Sequence, residues 1–123
     1  MNLVLLRSTC DNARVCPNIN ITDRGTFVVQ GPPAAKHSAA ALTGLHPDLG
    51  DTVVEIPLSL VPELDVTAPR TGLRSTGSGT VLIQGVRVTD QEALTELNLP
   101  VHETAVEIPT ALLHEVREAV SAG

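Results

Sequence analysis

A seven-residue stretch, Gly25-Thr26-Phe27-Val28-Val29-Gln30-Gly31, returns 54 positions later as Gly79-Thr80-Val81-Leu82-Ile83-Gln84-Gly85, with four identities and apolar residues at the other three positions. After a two-residue slip, residues 41–64 align without a gap on residues 93–116, and 11 of the 24 positions are identical. A short chain does not repeat itself this far by chance, so the sequence reads as a tandem duplication. The expected fold is α+β and strand-rich: a strand-helix-strand unit occurring twice, packed with pseudo-two-fold symmetry, and followed by a C-terminal helix. At 123 residues, the chain is one domain made of two half-units, 1–64 and 65–123.

Each unit is legible locally. Gly-Thr, three β-favouring residues and Gln-Gly make a short strand bounded by glycines. Thr89-Asp90-Gln91-Glu92 has capping-box spacing and should open a helix that shares Ala93, Leu94 and Leu97 on one face. Ser38 is the corresponding cap before Ala41, Leu42 and Leu45. A turn then delivers the chain into Thr52-Val53-Val54-Glu55-Ile56 or Thr104-Ala105-Val106-Glu107-Ile108, a second strand ended by Pro57 or Pro109. Strand alternation sets Glu55 and Glu107 opposite the apolar positions, on a solvated outer face. Leu112, Leu113, Val116 and Val120 mark an amphipathic helix of about ten residues. Residues 67–78 read as a linker or long loop.

Gly79 to Ile108, including Leu97-Asn98-Leu99-Pro100-Val101-His102-Glu103, resembles the half-unit of cradle-loop barrels, in particular the swapped-hairpin domains of AbrB- and MazE-type regulators and antitoxins. Gly25 to Ile56 repeats the pattern, with Leu49-Gly50-Asp51 at the turn. The resemblance covers about half of the chain. It implies a small cradle-loop-type barrel and, by analogy with those regulators, a DNA-binding transcriptional regulator or antitoxin.

Composition weighs against that second implication. Fourteen acidic against eight basic residues give a net charge of -6, the wrong sign for a general polyanion binder. DNA binding would have to use Arg70, Arg74 and Arg87, which fall within eighteen residues. One Phe and no Trp or Tyr leave no aromatic platform for sugars, bases or flat cofactors, and no cofactor is expected. No apolar run is long enough to span a bilayer, and the apolar core of Met1–Arg7 is too short for a signal peptide. The expected setting is cytoplasmic, with no membrane partner.

Cys10 and Cys16 are the only cysteines. Their spacing suits a small disulfide loop, structural or redox-responsive, but equally two plain thiols or half of a metal site across a dimer; a cytoplasmic setting favours thiols. His37, His46, His102 and His114 are scattered without metalloenzyme spacing, and no metal ligand or catalytic residue is assigned. Gly77-Ser78-Gly79 precedes a strand rather than a helix and reads as a turn, not a phosphate cradle. The expectation is a non-enzymatic regulatory or adaptor protein that binds a protein partner, as a monomer or a homodimer. The apolar face of the C-terminal helix, Leu113, Val116 and Val120, is the expected contact.

Overall fold

The computed structural model describes residues 2–9, 16–33, 51–64, 72–97, 99 and 103–122. Among the described residues seven strands dominate: β1 (Leu3–Ser8), β2 (Asn18–Thr22), β3 (Thr26–Gly31), β4 (Asp51–Pro57), β5 (Leu73–Ser75), β6 (Thr80–Arg87) and β7 (Thr104–Pro109). They form one antiparallel sheet in the order β1-β2-β3-β7-β6-β4, with β5 added on β6. With helices α1 (Gln91–Leu97) and α2 (His114–Ala122), the described residues are α+β and strand-rich. The N-terminal strands β1 and β2 carry no motif from the repeat and were not expected. Strand β5 lies inside the stretch read as a linker.

Hairpin β2–β3 pairs Ile19 with Val29, Asn20 with Val28 and Ile21 with Phe27. Hairpin β5–β6 pairs Leu73 with Ile83, Arg74 with Leu82 and Ser75 with Val81. Every residue of the second hairpin is the corresponding residue of the first displaced by 54. The longer ladders run crosswise between the halves. Strand β3 pairs along β7, with Thr26 opposite Pro109 and Phe27 opposite Ile108. Strand β6 pairs along β4, with Thr80 opposite Pro57 and Val81 opposite Ile56.

At its end each long strand turns to the other neighbour. Past Gly31, the Pro32 carbonyl accepts the Glu55 N–H at 3.0 Å, and Pro33 bridges Val54. Past Gly85, Val86 pairs with Glu107 and Arg87 with Val106. The two Gln-Gly glycines make these crossings sterically feasible. A Cβ on Gly31 would lie 2.7 Å from the Glu55 carbonyl oxygen, and one on Gly85 would lie 2.7 Å from Ile108 Cγ2, closer than packed atoms tolerate.

One face of the sheet holds the main core: Phe27, Val29, Val54, Ile56, Val81, Ile83, Val106 and Ile108 pack with Leu60, Val61, Leu113 and Val116. With a single aromatic residue in the chain, this core is almost wholly aliphatic. On the opposite face α1 lays Ala93 and Leu97 over Leu3, Val28 and Ala105. The cap of α1 is Asp90 rather than Thr89: its Oδ1 accepts the Ala93 N–H at 3.0 Å, and its carbonyl accepts the Leu94 N–H at 2.9 Å. That hydrogen bond holds the Asp90 carboxyl below its ordinary value, against a smaller opposing effect of desolvation. The C-terminal segment opens as a 3-10 turn, Thr110–Leu113, and continues as α2. Its counterpart after β4 is the single 3-10 turn Leu58–Leu60, which Pro62 prevents from continuing as a helix. Ser38 and residues 41–45 lie outside the described residues.

Glu55 and Glu107 are only partly solvated. Both are half-buried, and each accepts a hydrogen bond from a threonine of the other half. Thr26 Oγ1 donates to Glu107 Oε2 at 2.6 Å, and Thr80 Oγ1 donates to Glu55 Oε2 at 2.7 Å. Alternation correctly sets them opposite the main core, but full solvation does not follow, because that face is also partly covered.

Candidate functional site

The surface feature that stands out is where β6 leaves β4 for β7. Gly85 presses against β7, and the next residue, Val86, is 57% exposed. Only Val4 matches it among the exposed large hydrophobic side chains of the described residues. A cleft opens on either side of Val86. One, of about 270 Å³, is lined by Gly72, Gly85, Val86, Ile108, Pro109 and Leu112, together with Gln84 and Glu107, and is mainly apolar. The other, of about 340 Å³, brings together Arg24, Arg87, Thr89, Asp90 and Glu107 beside Val86 and Val88. Val86 and Glu107 border both.

The charged cleft draws its side chains from four segments: the β2–β3 turn, the end of β6, the cap of α1, and β7. Arg24 lies 3.6 Å from Glu107 and 3.9 Å from Asp90. These separations give Coulomb attraction without close hydrogen bonds. Arg24 is more than half exposed, so such pairs contribute little to stability. Both acids have a closer partner already, Glu107 in Thr26 and Asp90 in the Ala93 N–H. The cleft is therefore a balanced, polar rim beside an apolar centre.

Of the residues singled out in the sequence, Arg87 lines the charged cleft, and the other described ones fall elsewhere. Leu113 and Val116 are fully buried in the main core, so that face of the C-terminal helix is spent on the sheet and is not on the surface. The Val120 side chain lies outside the described residues. Of the three arginines, Arg70 lies outside the described residues. Arg74 stands on β5 opposite Leu82, whereas Arg87 ends β6 opposite Val106, five residues further along. Arg74 and Arg87 are therefore not brought together; Arg87 is instead grouped with Arg24 and two acids.

Cys16 is held in a disulfide, and its carbonyl accepts from Asn18 Nδ2 at 2.9 Å. Cys10 lies outside the described residues, as do His37, His46 and His102. His114 is exposed, with Nδ1 3.2 Å from the Glu115 carboxylate. Among the described residues no three His, Cys, Asp or Glu side chains gather as metal ligands would, and no helix is long and apolar enough to cross a membrane.

Sequence reasoning missed Val86, and read Arg24 only as one of a sparse N-terminal basic set with Arg7 and Arg14. A single valine within an apolar strand gives no sign that its strand changes neighbours there. Comparison of the chain with protein-family models, curated proteins and solved structures finds no match.

Proposed function

We propose that this is a non-enzymatic regulatory or adaptor protein that works by binding another protein, and that the contact is centred on Val86. The observation that carries the reading is the exposure of this large aliphatic side chain between an apolar cleft and a charged one. Protein interfaces are built in that way, with a desolvated apolar centre inside a polar rim. The helix face, first in line from the sequence, is replaced in this role by the β6–β7 junction.

We further propose that the docking face belongs to a duplicated architecture, with 1–64 and 65–123 as homologous half-units of one domain closing into a small cradle-loop-type barrel. Three features support this: hairpins displaced by 54 residues, crosswise ladders of equivalent register, and the change of neighbour after both Gln-Gly pairs.

The test is crosslinking capture of partners by wild-type protein and by Val86→Glu, followed by titration of the captured protein in purified form. A charge at an exposed position should leave the thermal midpoint within a few degrees and weaken binding at least tenfold. A partner that binds both forms equally overturns the reading.

A further inference from the structure

The apolar cleft has a counterpart in the first half of the chain, and there it is covered. Gln84, Gly85, Glu107, Ile108, Pro109 and Leu112 repeat as Gln30, Gly31, Glu55, Ile56, Pro57 and Leu60, the same residue at each position. Yet Gly31 and Leu60 are buried, while Gly85 and Leu112 are only partly so. The difference is β1. It adds to the outer edge of β2, pairing Val4 with Ile21 and Arg7 with Ile19. From there Leu6 packs against the core, and Arg7 donates to the Leu60 carbonyl at 3.1 Å.

Strand β5 is the counterpart of β2, and among the described residues no strand lies along its outer edge. The Gly72 carbonyl accepts from the Gln84 N–H, and Thr76 N–H donates to the Thr80 carbonyl. By antiparallel alternation Gly72, Arg74 and Thr76 bond towards β6, and Leu73 and Ser75 direct their backbone groups away from it. Those two residues correspond to Ile19 and Ile21, the positions through which β2 holds β1.

We propose that the partner docks as an extended segment, adding antiparallel to β5 and seating an aliphatic side chain in the cleft beside Val86. This rests on the protein-docking reading above and names its mode, strand addition to a sheet edge. Backbone bonds to Leu73 and Ser75 would supply affinity, and the cleft would select the side chain. In the first half, β1 provides both within the same chain.

A labelled peptide of the β1 sequence, Leu-Val-Leu-Leu-Arg-Ser, with a solubilising tag, is the probe, titrated against the full chain by fluorescence anisotropy. Saturable binding is expected, weakened at least tenfold by Val86→Glu and by Ser75→Pro. The proline removes an outward N–H while keeping the bonds to β6, so the thermal midpoint should stay close to wild type. Binding lost with Val86→Glu but kept with Ser75→Pro would leave docking at Val86 standing and overturn strand addition. No saturable binding, or binding indifferent to both substitutions, overturns the proposal. So does concentration-dependent self-association that Val86→Glu abolishes, since the occupant would then be a second copy of the chain.

Discussion

Thr26 donates its hydroxyl proton to Glu107 across 81 residues of sequence, at 2.6 Å. Thr80 does the same for Glu55, so each half-buried carboxylate is satisfied by the other half of the chain. Behind each donor stands a second threonine: Thr22 Oγ1 lies 2.6 Å from Thr26 Oγ1, and Thr76 Oγ1 lies 2.6 Å from Thr80 Oγ1. These relays tie the turn before each long strand to the strand it crosses. Hydrogen bonds to a charged acceptor contribute about 1.5–3 kcal/mol. Thr26→Val and Thr80→Val should each destabilise by about that amount in urea titrations. A Thr26→Val, Glu107→Gln double-mutant cycle should show clear coupling, and Thr26→Val with Glu55→Gln should show almost none.

Gly31 and Gly85 should resist substitution by alanine although neither needs an unusual backbone angle. The added methyl would meet backbone oxygens, Glu55 in one case and Glu107 in the other, and backbone atoms yield less readily than side-chain ends. Overpacking of this kind costs about 1–3 kcal/mol. Chemical denaturation of the two alanine variants checks it; a change below about 0.5 kcal/mol at both positions would mean that the crossings are looser than this geometry.

The C-terminal segment should behave as core. Leu113 is fully buried, and Leu113→Ala should cost about 2–5 kcal/mol. Val86→Ala should change stability far less, since that side chain is already mostly in water. Thermal midpoints of the two variants, measured side by side, separate a packed residue from a docking residue.

Arg7 and Glu63 predict a stability change in acid. The guanidinium grips the carboxylate with two hydrogen bonds of 2.6 Å. That bond, first among its causes, holds Glu63 below its ordinary value of 4.5, against a smaller effect of desolvation. A carboxyl lowered in the folded state stabilises the protein fully above its unfolded value and loses that contribution as pH falls through the folded one. The wild-type thermal midpoint should therefore drop below about pH 4.5 more steeply than that of Glu63→Gln. Parallel curves would show that the pair adds nothing.

DNA provides the contrast. With Arg87 set among acids and Arg74 displaced along the sheet, a mixed-sequence duplex should show no binding by anisotropy even at low salt. Binding whose log K falls with log salt by about 0.9 per phosphate neutralised would return the swapped-hairpin regulators to first place.

The sequence by itself determined some of the local elements, though not β1, β2 or β5. The seven-residue repeat marked β3 and β6, the Thr-x-Val-Glu-Ile-Pro segments marked β4 and β7, and the apolar spacing after Pro109 marked the C-terminal helix. Such signals are legible because period and punctuation act over a few residues. Cap chemistry was nearly legible: Thr89 and Asp90 are both good caps, and the backbone path selected the second. Tertiary structure alone decided which strands meet. Pairing between β3 and β7, or β4 and β6, joins segments far apart in the chain, and neither member carries a mark of its partner. The same limit hid the environments of single residues. Leu113 reads equally well as core or contact until the sheet is placed beneath it, and Glu107 reads as solvated until Thr26 arrives from the other half. Val86 became a surface residue only because Gly85, one position earlier, lets two strands cross.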